Sequence, residues 1–432
     1  MKLTIHRGTK EIGGSCVEVS TATTRIVLDA GIPLVQSDRA PFDPKTMRGK
    51  SAPELIQEKI IPNVQGLFTA GPSPDAILLS HSHPDHAGLL HLTRPQIPIY
   101  ATSGTSKMML AAAIFSRQES IDKARHRTIS PKQSFTIGDI TITAFSVDHS
   151  TFGSVAFLIE ADGKTILYSG DIRQHGRKPG MARDLVAQTC NRSIDVMLME
   201  GTHFGSGRST HGLTEFELEE SIVTHVKSAP GLVLACFTPI DLDRLVTYYR
   251  ASRRSGRIFV ADAYAAFVMH LLASETAIPR PTDDAGVRVY FNRAFEDRKL
   301  TKVAETFGPV DRISLDRVRS EPARYLMVFR PSMTKLDFDN MLPPNCRCLY
   351  SYWNGYLTKP EWVQLQQDVK QVGGDFIPAH TSGHIYVDDI VGLVQAINPK
   401  CIIPIHTFAP TAFLQHFQNV QLLNDGEPHL IN

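Results

Sequence analysis

Four side chains that can bind a metal stand together in the segment LLSHSHPDHAGLLHL: His81, His83, Asp85 and His86. Imidazole and carboxylate groups together suit Zn²⁺ or a similar first-row metal. His81 and His83 are two residues apart on an extended backbone, so they project to the same side. Pro84 stops the strand, and Asp85 and His86 then point elsewhere from the turn into a helix. One loop can therefore offer two ligands to one metal and two to a neighbouring metal.

Further ligand types end three predicted strands downstream. His149 ends ITAFSVDH, Asp171 ends KTILYSGD and His406 ends CIIPIH. Two metals about 3.5–4 Å apart can share a carboxylate, clamp a phosphate and create a hydroxide at neutral pH. Taken singly, each histidine is equally well explained as a hydrogen-bonded core residue. Taken with the first motif, they indicate a two-metal site.

The predicted elements explain how these residues meet. DAILLS (75–80) is a buried strand, SKMMLAAAIFSRQES (106–120) a helix, and two hairpins lead to Asp148-His149 and to Asp171. From about residue 205 the pattern changes. Thr214 and Glu217 begin a helix with a capping box, and strands and helices then alternate, which is typical of βαβ units with a parallel sheet. A short segment with its own histidines follows.

The composition of the chain excludes few classes of function. The chain has 432 residues, 42% of them hydrophobic, and a formal net charge of +1, so no global field requires a nucleic-acid or membrane partner. Its six cysteines form no CxxC pair, the N-terminus lacks a signal-peptide core, and no apolar run approaches the roughly 20 residues of a membrane span. We expect reduced thiols, a cytoplasmic location and no membrane partner.

The motifs together resemble a known family. HSHPDH, His149, the SGD that ends at Asp171, and His406 resemble the metal motifs of the metallo-β-lactamase fold. Asp29 in VLDAG resembles that fold's aspartate that supports metal ligands without binding the metal. The inserted block, HTSGH and IPIH resemble the β-CASP nucleases, HTSGH being similar to ribonuclease J. GTKEIGGSC and GDIRQHGRK look more like the cleavage-and-polyadenylation endonucleases.

This resemblance implies a fold and a set of ligands. The fold is an α/β protein, an αββα metallo-β-lactamase sandwich with an inserted α/β domain whose sheet is mainly parallel. The expected domains are 1–205, the inserted 206–368, and the return segment 369–432. Two Zn²⁺ ions per chain are expected, with Mn²⁺ as the alternative. The first ion would take His81, His83 and His149, and the second Asp85, His86 and His406, with Asp171 bridging.

It also implies catalytic and substrate-binding residues. His384 in HTSGH matches the proton donor to the leaving oxygen, the alternative being a histidine that caps the helix from Val387. Glu200 would fix a ligand histidine or make an ordinary loop hydrogen bond, and Asp85 counts as both ligand and catalytic residue. The expected substrate contacts are His380, Ser382, Gly383, Arg173, Arg177 and Lys178. A solvated charged face is the alternative for the three basic residues.

The resulting hypothesis is a metal-dependent ribonuclease that hydrolyses single-stranded RNA through a hydroxide activated by two metals. The alternatives are a DNA nuclease or small-molecule metallohydrolase of the same fold, and a non-catalytic nucleic-acid-binding subunit. Endonuclease and 5′-exonuclease action are both open, and the sequence does not separate RNA from DNA. The expected partners are single-stranded RNA, with DNA as the alternative, and a second copy in a homodimer.

Overall fold

A computed structural model describes residues 1–36, 39–205 and 210–431, which fold into two compact units. The main unit comprises Met1–Gly212 and Gly383–Asn432, and the inserted unit comprises Leu213–Ser382. The domain boundaries expected from the sequence, 205/206 and 368/369, stay predictions. The first of them falls at residues 206–209, outside the described residues.

The strands and helices are numbered along the chain. The strands are β1 (Lys2–Arg7), β2 (Cys16–Ser20), β3 (Arg25–Leu28), β4 (Ala76–Leu78), β5 (Ile99–Thr102), β6 (His126–Ile129), β7 (Ser134–Ile137), β8 (Ile140–Ser146), β9 (Val155–Ala161), β10 (Lys164–Tyr168), β11 (Val196–Glu200), β12 (Val233–Cys236), β13 (Ile258–Asp262), β14 (Val287–Tyr290), β15 (Tyr325–Val328), β16 (Arg347–Tyr350), β17 (Asp375–Pro378), β18 (Ile402–Ile405) and β19 (Pro428–Leu430). The α-helices are α1 (Ala52–Gln57), α2 (Pro84–Ala87), α3 (Ser103–Ser116), α4 (Gly180–Thr189), α5 (Glu215–Ser228), α6 (Leu242–Arg254), α7 (Ala263–Leu272), α8 (Arg293–Glu296), α9 (Thr301–Ala304), α10 (Leu315–Ser320), α11 (Pro331–Leu336), α12 (Pro360–Gln371) and α13 (Val387–Ile397). Short 3₁₀ helices lie at Pro44–Met47, Leu90–Leu92, Pro309–Asp311, Pro322–Arg324, Asn354–Tyr356 and Pro410–Gln415.

Two sheets form the centre of the main unit. Their strand orders are β19-β1-β2-β3-β4-β5-β6 and β18-β11-β10-β9-β8-β7. Strand β9 shows why both faces are buried: Val155, Phe157 and Ile159 join the core between the sheets, and Ala156 and Leu158 join the core on the outer face. This two-residue alternation is the period of a strand.

Helices cover the outer face of each sheet. Leu55 of α1 and Met109 of α3 pack on the first sheet, while Leu185 of α4 and Leu393 of α13 pack on the second. The layers are therefore helix, sheet, sheet, helix, as the αββα expectation requires.

The inserted unit is built on a single six-stranded sheet, in the order β14-β13-β15-β12-β16-β17, and its strand pairs are all parallel. The parallel sheet expected from the alternating strands and helices is confirmed. Strand β17, which the sequence analysis placed in the return segment, pairs with β16 in this sheet. The two strands end side by side, since Tyr350 lies opposite Pro378.

Several local predictions can be checked against the elements. The two hairpins are β7–β8 and β9–β10, and α5 begins at the predicted capping box of Thr214 and Glu217. The helix expected at 106–120 is displaced towards the N-terminus, because Thr102 caps it through the Thr105 amide and Arg117 ends it in the left-handed region. Among the described residues, no helix is long and apolar enough to cross a bilayer.

A partly buried cluster of charged side chains joins the first three strands. The Glu18 carboxylate on β2 accepts two hydrogen bonds from Arg25 on β3, at 2.9 and 3.2 Å, and lies 3.1 Å from Nε2 of His6 on β1. Burial alone would raise the pKa of Glu18, but the hydrogen bonds to His6 and Arg25 lower it to about 2. The folded state therefore favours the ionised form more than the unfolded chain does.

We expect Glu18→Gln to lower the free energy of unfolding by about 1–3 kcal/mol near neutral pH, because Arg25 and His6 lose a charged acceptor. A carboxyl whose pKa is lower in the folded state stabilises above its unfolded pKa, and this stabilisation disappears as the pH falls through the folded pKa. Urea denaturation of both proteins at several pH values measures this. A difference that stays constant from about pH 7 to about pH 2 would contradict it.

Candidate metal centre

The HSHPDH motif begins in the loop after β4 and continues into α2. His81 and His83 precede the helix, and His83, the residue immediately before the first turn, has an extended backbone. Pro84 is the first helical residue, a position where its fixed φ and missing N–H cost nothing. Asp85 and His86 therefore lie on the helix and the earlier pair on the loop, which is the division expected from the sequence.

His81, His83 and His149 form the first cluster, with ligand atoms all within 4.8 Å of one another. His149 follows β8, and its Nε2 is 3.1 Å from Nδ1 of His83. Burial, followed by the neighbouring imidazoles, keeps the pKa of His81 and of His149 well below the usual range, and burial lowers the pKa of His83 to about 4. The three imidazoles are therefore neutral, which is the form that binds a metal.

Asp85, His86, Asp171 and His406 form the second cluster, again with ligand atoms within 4.8 Å of one another. Nε2 of His406 is 3.2 Å from Oδ2 of Asp85, and Nε2 of His86 is 3.2 Å from Oδ2 of Asp171. Burial opposes a charge on His86, but the carboxylates of Asp171 and Asp29 raise its pKa well above the usual range. A metal that binds here must displace that proton.

Asp171 touches both clusters. Its Oδ2 is 3.2 Å from Nε2 of His86 in the second cluster and 3.6 Å from Nε2 of His81 in the first, while His149 Nε2 is 3.9 Å away. Burial alone would raise the pKa of Asp171, but His406 and His86 hold it well below the usual range, so the carboxylate is ionised. The carboxylate of Asp171 therefore lies between the two clusters, within 4 Å of ring nitrogens in both.

The buried donor set fits divalent metals. Among the described residues, Nε2 of His81, Nε2 of His86 and both carboxylate oxygens of Asp171 are buried without a hydrogen bond of acceptable geometry. Leaving so many polar atoms unsatisfied is costly unless a ligand binds them. Five histidines and two aspartates in two adjoining clusters are the ligand types of zinc and related ions.

Hydrogen bonds behind the clusters select which imidazole nitrogen faces inward. His149 Nδ1 donates to the Gly383 carbonyl at 2.6 Å, and His86 Nδ1 donates to Asp29 Oδ2 at 2.8 Å. The Ser80 hydroxyl donates to Asp29, so it accepts from His81 Nδ1 at 3.0 Å. With Nδ1 used as the hydrogen-bond donor, Nε2 is the nitrogen that each of these histidines turns towards the centre, and on His86 a metal would have to displace the Nε2 proton.

His406 follows the same rule through Thr202. The Thr202 hydroxyl donates to Glu200 Oε2 at 2.7 Å, so it accepts from His406 Nδ1 at 3.0 Å. His406 also has a positive φ of 52°, a conformation uncommon for residues other than glycine. The Tyr168 hydroxyl donates to Asp29 at 2.7 Å. The sequence did not predict a role for Tyr168, Ser80 or Thr202. A lone hydroxyl beside a ligand carries no distinctive sequence pattern.

His384 lies beside the second cluster. Its Nδ1 is 3.2 Å from Oε1 of Glu200 and 3.6 Å from Oδ2 of Asp171. Burial lowers the pKa of His384, but the Glu200 and Asp171 carboxylates outweigh it and raise the pKa to about 9. His384 and Glu200 thus both lie beside the second cluster, and Glu200 contacts His384 directly and His406 through the Thr202 hydroxyl.

The basic loop after Asp171 differs from the expectation at one residue. Arg173 is fully buried and its Nε donates to Asp148 Oδ1 at 3.0 Å, so this side chain braces the segment before His149 and does not suit a substrate phosphate. Asp148 also accepts from the Lys178 amide at 2.7 Å. The side chains of Arg177 and Lys178 are half-buried, and Lys178 Nζ lies 5.8 Å from the Phe152 ring centre.

The HTSGH segment crosses the boundary between the units. His380 and Ser382 belong to the inserted unit, where His380 Nδ1 lies 3.2 Å from the Ser351 carbonyl. Gly383 and His384 belong to the main unit, where the Gly383 carbonyl orients His149. Substrate contact by His380, Ser382, Gly383, Arg177 and Lys178 stays a prediction.

Several known proteins are similar to this chain in sequence. Residues 24–236 match the family model described as a beta-lactamase superfamily domain. An RNase J-like protein of Methanocaldococcus jannaschii is 26% identical over 59% of this chain and 56% of its own length. Ribonuclease J of Mycolicibacterium smegmatis is 22% identical over 94% of this chain and 68% of its own length. The transcription termination factor FttA of Methanothermobacter thermautotrophicus is 22% identical over 61% of this chain and 41% of its own length.

A solved structure has the same fold over nearly the whole chain. It is the crystal structure of a protein of unknown function from Enterococcus faecalis V583, with a TM-score of 0.79, 20% identity and coverage of 99% of both chains. Together with the superfamily domain, the ribonuclease J relatives support a metal-dependent hydrolase or ribonuclease.

Thr202→Val should weaken binding of the second metal by about 10–100-fold, because it removes the acceptor that fixes His406 Nδ1 while keeping the side-chain volume. Competition with a chromophoric chelator measures the affinity of each site. Thr202→Ser, which keeps the hydroxyl, is the matched control and should bind like the wild type. Equal affinities for the valine and wild-type proteins would show that Thr202 does not orient His406.

Proposed function

We propose that this chain is a two-metal ribonuclease that hydrolyses single-stranded RNA. Its metallo-β-lactamase superfamily domain and its homology to ribonuclease J and FttA, which are β-CASP nucleases, support this proposal. The observation that carries the proposal is the position of Asp171 between the two clusters, 3.6 Å from His81 and 3.2 Å from His86. A shared carboxylate is the usual centre of a two-metal site that clamps a phosphodiester.

The proposed ligands follow the two clusters. His81, His83 and His149 would hold one ion, Asp85, His86 and His406 the other, and Asp171 both. Two Zn²⁺ ions, or Mn²⁺ in their place, would neutralise phosphate charge and lower the pKa of bound water. The four Nδ1 hydrogen bonds keep the ligand nitrogens oriented before any metal arrives, so binding does not have to reorganise them.

His384 has the surroundings of a general acid. Its Nδ1 is held by Glu200, which leaves Nε2 for a substrate oxygen, and about a quarter of its side chain (23%) is exposed. Nearby carboxylates favour the imidazolium form. The leaving ribose oxygen of a phosphodiester would otherwise depart as a strongly basic alkoxide, and a proton from His384 Nε2 removes that cost. Glu200 and Thr202 act by positioning this ring.

The names of the relatives favour nucleic acid over a small molecule. Several of them are ribonuclease J proteins, and matches to these extend over 94% of this chain. The inserted unit with its parallel sheet is part of the matched region. Single-stranded DNA is the alternative substrate, and a substrate panel decides between the two.

Asp85→Ala should reduce cleavage of an end-labelled, unstructured RNA by at least about 10²–10³-fold, because the second cluster loses a ligand that contacts His406. Wild-type cleavage should stop in chelator and return with Zn²⁺ or Mn²⁺. The exposed Asp162→Asn is the matched control and should cleave normally. If the wild type leaves both RNA and single-stranded DNA intact with either metal restored, the nuclease proposal fails.

His384→Gln should lower kcat on RNA by about 10²–10⁴-fold while the content of bound metal stays unchanged. A p-nitrophenyl phosphodiester tests the role, because p-nitrophenolate leaves without needing a proton. The variant should therefore lose much less activity on this substrate than on RNA. Equal losses on both substrates would show that His384 does not act as the acid for the leaving group.

RNA substrates with different ends distinguish endonuclease from 5′-exonuclease action. Circular RNA has no end, so only an endonuclease can open it. Linear RNAs with a 5′-monophosphate or a 5′-hydroxyl then show whether the 5′ end controls the rate. Cleavage of the circle with little dependence on the 5′ group would establish endonuclease action.

A further inference from the structure

Aromatic and basic side chains gather at one edge of the parallel sheet in the inserted unit. Strands β16 and β17 end there side by side, and the loops that follow are tied together. The Ser351 hydroxyl donates to the Ala379 carbonyl, and His380 Nδ1 lies 3.2 Å from the Ser351 carbonyl. In open α/β sheets, ligands bind outside the carboxyl ends of the strands, which is this edge.

The loop after β16 presents two aromatic rings. Trp353 is 49% exposed and Tyr356 is 38% exposed, with their ring centres 5.4 Å apart and their planes at 87°. The Trp353 ring packs directly against Gly355, where an added β carbon would lie only 2.2 Å from the ring. The Tyr350 hydroxyl fixes the loop by donating to the Trp353 carbonyl at 2.8 Å. The rings are therefore held in place by the fold while part of each ring stays exposed.

A lysine completes the group. Lys359 is exposed, and its Nζ lies 4.2 Å from the centre of the Tyr356 ring, within range of a cation–π contact. Among the residues that the structure describes, no carboxylate lies within ion-pair distance of Lys359. Its charge is therefore available to an anionic group bound beside the rings.

A second cation lies at the same edge. Arg330 follows β15, which is separated from β16 only by β12, and its guanidinium lies 5.4 Å from the Tyr264 ring centre. Its Nε donates to Asp262 at 2.8 Å, whereas Nη2 is buried with no hydrogen-bond partner in the described part of the chain. This edge of the sheet therefore carries two exposed aromatic rings, the exposed Lys359 and the partly buried Arg330.

We propose that Trp353, Tyr356 and Lys359 form a platform on which bases of a single-stranded nucleic acid stack while Lys359 contacts the phosphate backbone. Every base has a flat π face, so aromatic stacking beside a cation binds single strands with little sequence preference. This inference deepens the proposed function, on which its choice of ligand rests. An ordinary protein-docking patch would not need the unpaired lysine beside the rings, and that charge favours a polyanion.

Tryptophan emission reports directly on the platform. The chain has two tryptophans, Trp353 and the buried Trp362, which is 7% exposed. A uridine oligonucleotide of about twelve nucleotides, added to the full chain in chelator so that it is not cut, should quench part of the emission saturably. Trp353→Phe should abolish that change, because the remaining tryptophan lies away from solvent.

Affinity measurements then test stacking itself. Trp353→Ala and Tyr356→Ala should each weaken binding of the oligonucleotide about tenfold. An abasic oligonucleotide of the same length should bind the wild type and Trp353→Ala equally weakly. Lys359→Ala should reduce the slope of log affinity against log salt by about one. Phe216→Ala, which removes a ring exposed to the same 49%, is the matched control and should change nothing.

The outcomes separate this inference from the proposed function. Hydrolysis of a p-nitrophenyl phosphodiester, which carries no nucleobase, should be unchanged in Trp353→Ala. If the wild type hydrolyses no phosphodiester but the oligonucleotide still quenches Trp353, the proposed function fails and the platform stands. Unchanged oligonucleotide affinity in both ring variants overturns the platform. So does a Trp353→Ala protein that alters only self-association, since the patch would then be a protein interface.

Discussion

The site depends on one buried carboxylate that is shared by two groups of imidazoles. Asp171 is almost fully buried, and its Oδ2 lies 3.2 to 3.9 Å from Nε2 of His86, His81 and His149. Such a cluster is unfavourable by itself, because polar atoms are removed from water without hydrogen-bond partners. The surrounding fold has to hold these groups together until a ligand satisfies them, and divalent cations are the ligands that fit.

The two-sheet sandwich does this by bringing the ends of distant strands to one place. Asp29 follows β3, the HSHPDH loop follows β4, His149 follows β8, Asp171 follows β10 and His406 follows β18. Nδ1 of four histidines donates hydrogen bonds to Asp29, Ser80, Thr202 and the Gly383 carbonyl, and these bonds fix the orientation of the rings. The order of the site is thus set by groups that never need to touch a metal, in the way that outer partners orient metal ligands generally.

The sequence was informative where chemistry and spacing coincide. HSHPDH could be assigned to two groups of ligands, because Pro84 forces a helix start between His83 and Asp85, and the structure divides them there. Asp29 and Glu200 needed the family resemblance. Thr202 and Ser80 could not be found, since a hydroxyl gains its role only when the fold places it between an acceptor and an imidazole. Arg173 was expected to contact substrate, because its charge does not reveal that the side chain is buried. In the structure it is buried and donates a hydrogen bond to Asp148.

The most direct test of the central claim is an anomalous-scattering map, collected at the zinc absorption edge from crystals of zinc-loaded protein. A shared two-metal centre should give two peaks about 3.5–4 Å apart, one among His81, His83 and His149 and the other among Asp85, His86 and His406, with the Asp171 carboxylate between them. A single peak, or two peaks of which only one contacts Asp171, would contradict a shared two-metal centre.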